Sequence, residues 1–203
     1  MQSLKVNVMR YFLLRHEYSD SGYVDGDVAF IPPLTGYYQA GTPLEVGDRA
    51  VSVTMDKAVR KLKADFFLTT SGAFFAAEKL ATLLKRYQND LRIIPAHTSY
   101  SSGRATEKRY MLVHANRRLP CFDYRRSEYA GKALALQRLE RGESADAFLV
   151  KGVQALAIDE KFAVGANFFF IKNVVLIDPV VSESLEKEIR EQKFNVRLEA
   201  VPV

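Results

Sequence analysis

The 203-residue chain has one cysteine, three histidines and no long apolar run, and each shortage removes a class of protein. Cys121 has no partner for an intramolecular bond, so no disulfide framework exists, and a lone thiol suits a reducing compartment. His16, His97 and His114 are spaced 81 and 17 residues apart, which puts no two imidazoles on one helix face, so no metal site is expected. The apolar stretches Phe168–Ile171 and Val174–Ile177 are split by Lys172-Asn173 and fall far short of the roughly 20 residues that span a bilayer. Lys5 and Arg10 interrupt the opening segment where a secretory signal needs an unbroken apolar core, so the chain is expected in the cytoplasm. Recurrent catalytic motifs are missing too: no phosphate-binding Gly-x-x-x-x-Gly-Lys-Ser/Thr, no Gly-x-Gly-x-x-Gly after a strand, no Gly-x-Ser-x-Gly elbow. Cys121 follows His114 by seven residues, but a lone cysteine is more often a small buried hydrophobe than a nucleophile. The expectation is a protein that is not an enzyme and carries no cofactor.

Charge is present in excess and is localised. The net charge is +5, yet residues 101–141 hold ten Lys/Arg against four Asp/Glu, leaving 19 basic and 20 acidic residues elsewhere. A basic stretch of this kind fits an acidic protein surface, a phosphate backbone or a solvated face. Its arginine pairs, Arg117-Arg118 and Arg125-Arg126, flank Pro120-Cys121-Phe122 and are candidates for bidentate bonds to carboxylates. Upstream, Glu17 to Asp27 reads as an acidic loop, and Ile31 to Leu44 has the Pro and Gly punctuation of irregular structure. Tyr37 and Tyr38 within it either stand exposed as interface anchors or plug the edge of the core.

Comparing the chain with itself at an offset of 105 residues reveals an ordered internal repeat, approximately 65–97 and 173–202. Glu78 falls on Glu183, Leu80 on Leu185, Leu84 on Ile189, Lys85 on Arg190, Leu91 on Val196, Arg92 on Arg197 and Ile93 on Leu198. Phe66–Thr70 resembles Val174–Asp178 once a three-residue gap is allowed. Each copy reads strand-helix-strand. In the first, Ala76, Leu80, Leu83, Leu84 and Tyr87 recur at helical spacing; in the second, Ser182 is the N-cap expected before Leu185 and Ile189. Tyr11–Leu14 and Arg109–Ala115 read as strands, as do Phe148–Val150, Val153–Ile158 and Phe162 to Ile171. The fold class is therefore α/β of the α+β kind. Residues 1–203 form one continuous domain with a mixed sheet, helices mainly on one face, and two related strand-helix-strand modules.

These landmarks, Tyr11-Phe-Leu-Leu14, Gly41-Thr-Pro-Leu44, Ala64-Asp-Phe-Phe-Leu68, Phe74 to Leu80, Ile93-Ile-Pro-Ala96, Tyr110-Met-Leu-Val113, Phe122-Asp-Tyr124, Ser127-Glu-Tyr129, Val174–Ile177 and Val181–Leu185, span most of the chain. Together they resemble the bacterial immunity proteins of polymorphic-toxin and type VI secretion systems. The resemblance implies a stoichiometric antagonist of a cognate toxin, with Tyr37, Tyr38, Arg117, Arg118, Arg125 and Arg126 as candidate toxin-binding residues. A basic chain departs from the common pairing of basic nuclease with acidic antagonist, so either the toxin presents an acidic face or the acidic loop makes the contact. The competing expectation is a nucleic-acid-binding accessory protein, with Tyr110, Tyr124 and Tyr129 stacking on bases within the basic stretch.

Overall fold

The computed structural model describes residues 9–16, 26–44 and 49–202. Val6, Val8 and the acidic residues from Glu17 to Asp25 lie outside the described residues. The first half contains β1 (Tyr11–Arg15), β2 (Gly26–Ile31), β3 (Ala50–Met55), β4 (Phe66–Leu68), β5 (Phe74–Ala77), α1 (Glu78–Tyr87), β6 (Arg92–Ser99) and β7 (Tyr110–His114). The second contains β8 (Arg118–Leu119), β9 (Glu128–Ala130), α2 (Lys132–Glu140), β10 (Lys151–Ala155), α3 (Glu160–Ala163), β11 (Phe168–Ile171), β12 (Val180–Ser182), α4 (Glu183–Glu191) and β13 (Arg197–Ala200). The protein is α+β, as its composition of strands and helices predicts, but the strands form three sheets. One is six-stranded in the order β2-β3-β6-β7-β5-β4, one five-stranded in the order β13-β1-β12-β11-β8, and β9 pairs with β10 alone.

Phe74–Ala77 departs from the helical reading. All four residues are buried, and an apolar run buried on both faces has no periodicity that separates helix from strand. Pairing with β4 on one side and β7 on the other decides for strand. Likewise the strand that opens the second module is Phe168–Ile171, not Val174–Ile177, because the turn at Lys172-Asn173, with Asn173 at φ 60, sends the following residues into a loop. Phe162 lies in α3 rather than in a strand. Each module is thus a hairpin, a helix and a return strand.

A fourth strand completes each module, and it comes from a different place in the chain. In the first module β7 lies between β5 and β6; in the second, the N-terminal β1 takes the same place between β12 and β13. The registers coincide residue for residue. Ala77 faces Tyr110 and Arg92 faces His114, while Ser182 faces Tyr11 and Arg197 faces Arg15. The helix N-termini are satisfied in the same way: Glu78 N–H donates to the Arg109 carbonyl (3.0 Å) and Glu183 N–H to the Arg10 carbonyl (2.9 Å). Ser182 adds its hydroxyl, which accepts from Leu185 N–H at 3.4 Å. The two halves are circular permutations of one β-β-α-β-β unit.

The modules pack inner face to inner face. Their shared core takes Phe66, Leu68, Ala76, Leu80, Leu84 and Val113 from one and Phe168, Phe170, Val181, Leu185, Ile189 and Leu14 from the other, each in the equivalent position. They also lock reciprocally. Asp65, before β4, exchanges backbone and carboxylate bonds with Asn195 beyond α4 (2.9 and 2.7 Å). Asn167, before β11, donates to Tyr87 O and Gln88 Oε1 at the C-terminal end of α1 (3.1 and 3.0 Å). Glu188 of α4 adds to the lock, since its carboxylate accepts from Arg86 and Tyr87 of the other helix. Truncating either equivalent leucine, Leu80→Ala or Leu185→Ala, is expected to cost about 2–5 kcal/mol, read as a lower urea midpoint at unchanged slope.

Candidate functional site

The segment from Pro32 to Leu44 has no regular structure of its own, yet its backbone is tied down toward both ends. The Arg49 guanidinium donates to the Pro32 and Pro33 carbonyls, Arg92 to Leu44 O (3.1 Å), and Gly41 N–H to Ala115 O (2.8 Å). Tyr38 turns inward. Its ring stacks on Phe30 with centroids 5.7 Å apart, and its hydroxyl lies 3.0 Å from His114 Nδ1. The other imidazole nitrogen lies 2.9 Å from the Thr42 carbonyl, which only accepts, so Nε2 carries the proton and Nδ1 accepts from Tyr38. His114 is fully buried, and burial holds its pKa below the usual histidine range. With both nitrogens engaged, it is no base for Cys121.

Arg118 is equally structural. From β8 its guanidinium reaches the Ala40 carbonyl (3.0 Å) and the Ile171 carbonyl (3.3 Å), bridging the loop to β11, and burial lowers its pKa. Gly41 makes room for it: at φ 86, a Cβ there would stand 2.3 Å from Arg118 Cγ. Tyr37, next to the buried anchor, is the opposite case. It is 98% exposed, and Ile31 where the loop begins is 63% exposed. A large amphipathic ring held in water by a pinned backbone has little conformational entropy left to lose on docking.

The two arginine pairs divide in the same manner. Arg117 and Arg125 point outward, with side chains 71% and 73% exposed and only long contacts, 3.4 Å to Asp90 and 3.8 Å to Glu140. Arg126 donates to Asp123 Oδ2 and to the Ile158 carbonyl, both at 2.7 Å, closing the turn that Asp123 also caps. Arg118 thus joins the Tyr37 loop, whereas the Arg125-Arg126 turn is held against Ile158 and belongs to the second module's outer core.

The basic stretch is mostly spent on its own fold. Arg104, Lys108, Arg117, Arg125, Arg126, Lys132 and Arg138 each face a carboxylate. Tyr110 and Tyr129 are buried, and Tyr124 packs edge-on among Phe122, Tyr129 and Phe148, so the three rings form no open platform. Cys121 is buried, which pushes its thiol up to about 12. Among the described residues no three His, Cys, Asp or Glu side chains group as metal ligands, and no helix is long and apolar enough to cross a membrane.

Compared with known proteins, the sequence matches no family model and no curated protein.

Because folding holds the His114 pKa below its unfolded value near 6.5, the unfolded chain binds the extra proton first. Stability is therefore expected to be complete above about pH 6.5 and to fall as the pH drops below it, measured as urea midpoints between about pH 7.5 and 5.5. His16 shifts in the same direction, so His114→Gln and His16→Gln are each expected to flatten part of that slope. Among the arginines, Arg118→Ala is expected to cost about 1.5–3 kcal/mol of stability, and Arg117→Ala or Arg125→Ala less than about 0.5, by the same melts.

Proposed function

We propose that this protein binds and neutralises a cognate antibacterial toxin in the cytoplasm, by forming a stoichiometric complex rather than by catalysis. The observation that carries the reading is Tyr37, an almost fully solvated ring on a loop fastened on either side of it, at Pro32-Pro33 and from Tyr38 to Gly41. Tyrosine is favoured at the centre of protein interfaces, and a fastened loop binds without an ordering cost. Of the four candidate arginines, Arg117 and Arg125, exposed and weakly paired, are the two placed to meet carboxylates on the toxin. Tyr38, Arg118 and Arg126 serve this function indirectly, by holding the turns that carry them.

Co-expression with the product of the neighbouring gene tests the proposal, scoring survival and co-purification against that product alone. Rescue together with a stable complex is the expected result; killing that is not relieved counts against it. Within such a complex, Tyr37→Ala is expected to weaken binding by about 2 kcal/mol or more while leaving the melting midpoint unchanged. Arg118→Ala should lower both.

A further inference from the structure

Two loops at one end of the six-stranded sheet form a second surface of a different character. Residues 56–65 connect β3 to β4 and residues 100–109 connect β6 to β7; β3 and β6 are parallel neighbours, so both loops leave the sheet together. They are built as one unit. Leu62 N–H donates to the Tyr100 hydroxyl (2.9 Å), which donates on to Glu107 (2.5 Å). Lys108 Nζ donates to the Lys63 carbonyl (2.5 Å) and to Asp65 (2.6 Å), and the Arg104 guanidinium lies 4.6 Å above the Tyr100 ring.

This construction uses up every carboxylate in the two loops. Asp56 caps Ala58 N–H, Asp65 holds Lys108 and Asn195 N–H, and Glu107 holds Tyr100 and Arg104. Lys57, Arg60, Lys61, Lys63 and Arg109 are exposed and face no carboxylate among the described residues. Five uncompensated cations on one rigid platform attract a polyanion.

The composition decides which kind. No large apolar side chain is exposed on either loop, and the platform's only aromatic ring, Tyr100, is buried beneath Arg104. Protein interfaces need apolar or aromatic anchors and are depleted in lysine, and single-stranded nucleic acid needs open rings to stack on. A duplex backbone needs only cations at phosphate spacing. We infer that the loops at 56–65 and 100–109 bind the phosphate backbone of a nucleic-acid duplex, without sequence preference and at a surface separate from the Tyr37 loop.

Fluorescence anisotropy of the full chain with labelled DNA and RNA duplexes of about 20 base pairs, the matching single strands, and a poly-glutamate competitor of similar charge tests this. Neutralising five phosphates predicts binding that weakens about 500-fold between about 50 and about 200 mM KCl. The variant Lys57→Gln/Arg60→Gln/Lys61→Gln/Lys63→Gln, which alters none of the bonds that build the platform, should lose at least about tenfold in affinity and bring the log-log salt slope from about −4.5 to about −1. Arg117→Gln/Arg125→Gln should bind as the parent does, and whether DNA or RNA binds more tightly identifies the duplex. No binding at the lower salt, undiminished binding by the quadruple variant, single strands bound as tightly as duplexes, or poly-glutamate competing as well as a duplex would each overturn the inference. Toxin rescue does not depend on any of these outcomes.

Discussion

The N-terminal strand lies between two strands from the far end of the chain, and the second module exists only because it does. Arg15 reaches Asp178 and Glu199, 163 and 184 residues away, and β1 supplies hydrogen bonds to β12 on one edge and β13 on the other. Its alternation serves two cores at once: Phe12 and Leu14 face the core shared with the first module, and Tyr11 and Leu13 face the outer one. Contacts of such sequence separation are closed late and at an entropic cost. What offsets that cost is the shared core, to which both modules contribute large side chains from equivalent positions, Phe66 and Phe168, Leu80 and Leu185, Leu84 and Ile189 among them.

The symmetric centre and the asymmetric periphery do different work. Inner-face positions are coupled, since a change of volume at Leu80 is felt by α4, and Asp65 and Asn167 tie each hairpin to the opposite helix. The outer faces are covered by unrelated segments, β2, β3 and their loops over one module and the residues from β8 to α3 over the other. The Tyr37 loop and residues 56–65 belong to these coverings, whereas residues 100–109 join two strands of the first module itself, β6 and β7. The Tyr37 loop is fastened to the first module and bridged by Arg118 to the second, so its position reports how the two modules sit together. A rigid frame with freely varied coverings is how one fold presents different surfaces to different partners.

Much of the frame was legible as hydrophobic pattern. The helices begin at Glu78 and Glu183, and the return strands at Arg92 and Arg197, as the offset of 105 predicts. The rest of the repeat was hidden by loop length. The first strands of the hairpins match at an offset of 102, Phe66 with Phe168, and the permuted strands at 99, where Arg10-Tyr-Phe-Leu-Leu-Arg15 parallels Arg109-Tyr-Met-Leu-Val-His114. One fixed offset cannot follow three, because insertions accumulate in loops while strand registers are held by their hydrogen bonds. The basic platform escaped for a related reason: Lys57 to Lys63 and Arg104 to Arg109 are remote in sequence, so a count along the chain placed the first group in a neutral background.

By itself the sequence determined the class of fold, the two helices of the repeat and the buried thiol, since these follow from local periodicity and composition. Tertiary structure alone decided which side chains remained available. Tyr37 and Tyr38, adjacent and identical in type, parted when the chain turned between solvent and His114. Arg117 and Arg118 parted likewise, one left in water and the other drawn under the loop by the Ala40 and Ile171 carbonyls. Neighbours in a strand or turn point to opposite sides, and only the packing of distant segments determines which side is the interior.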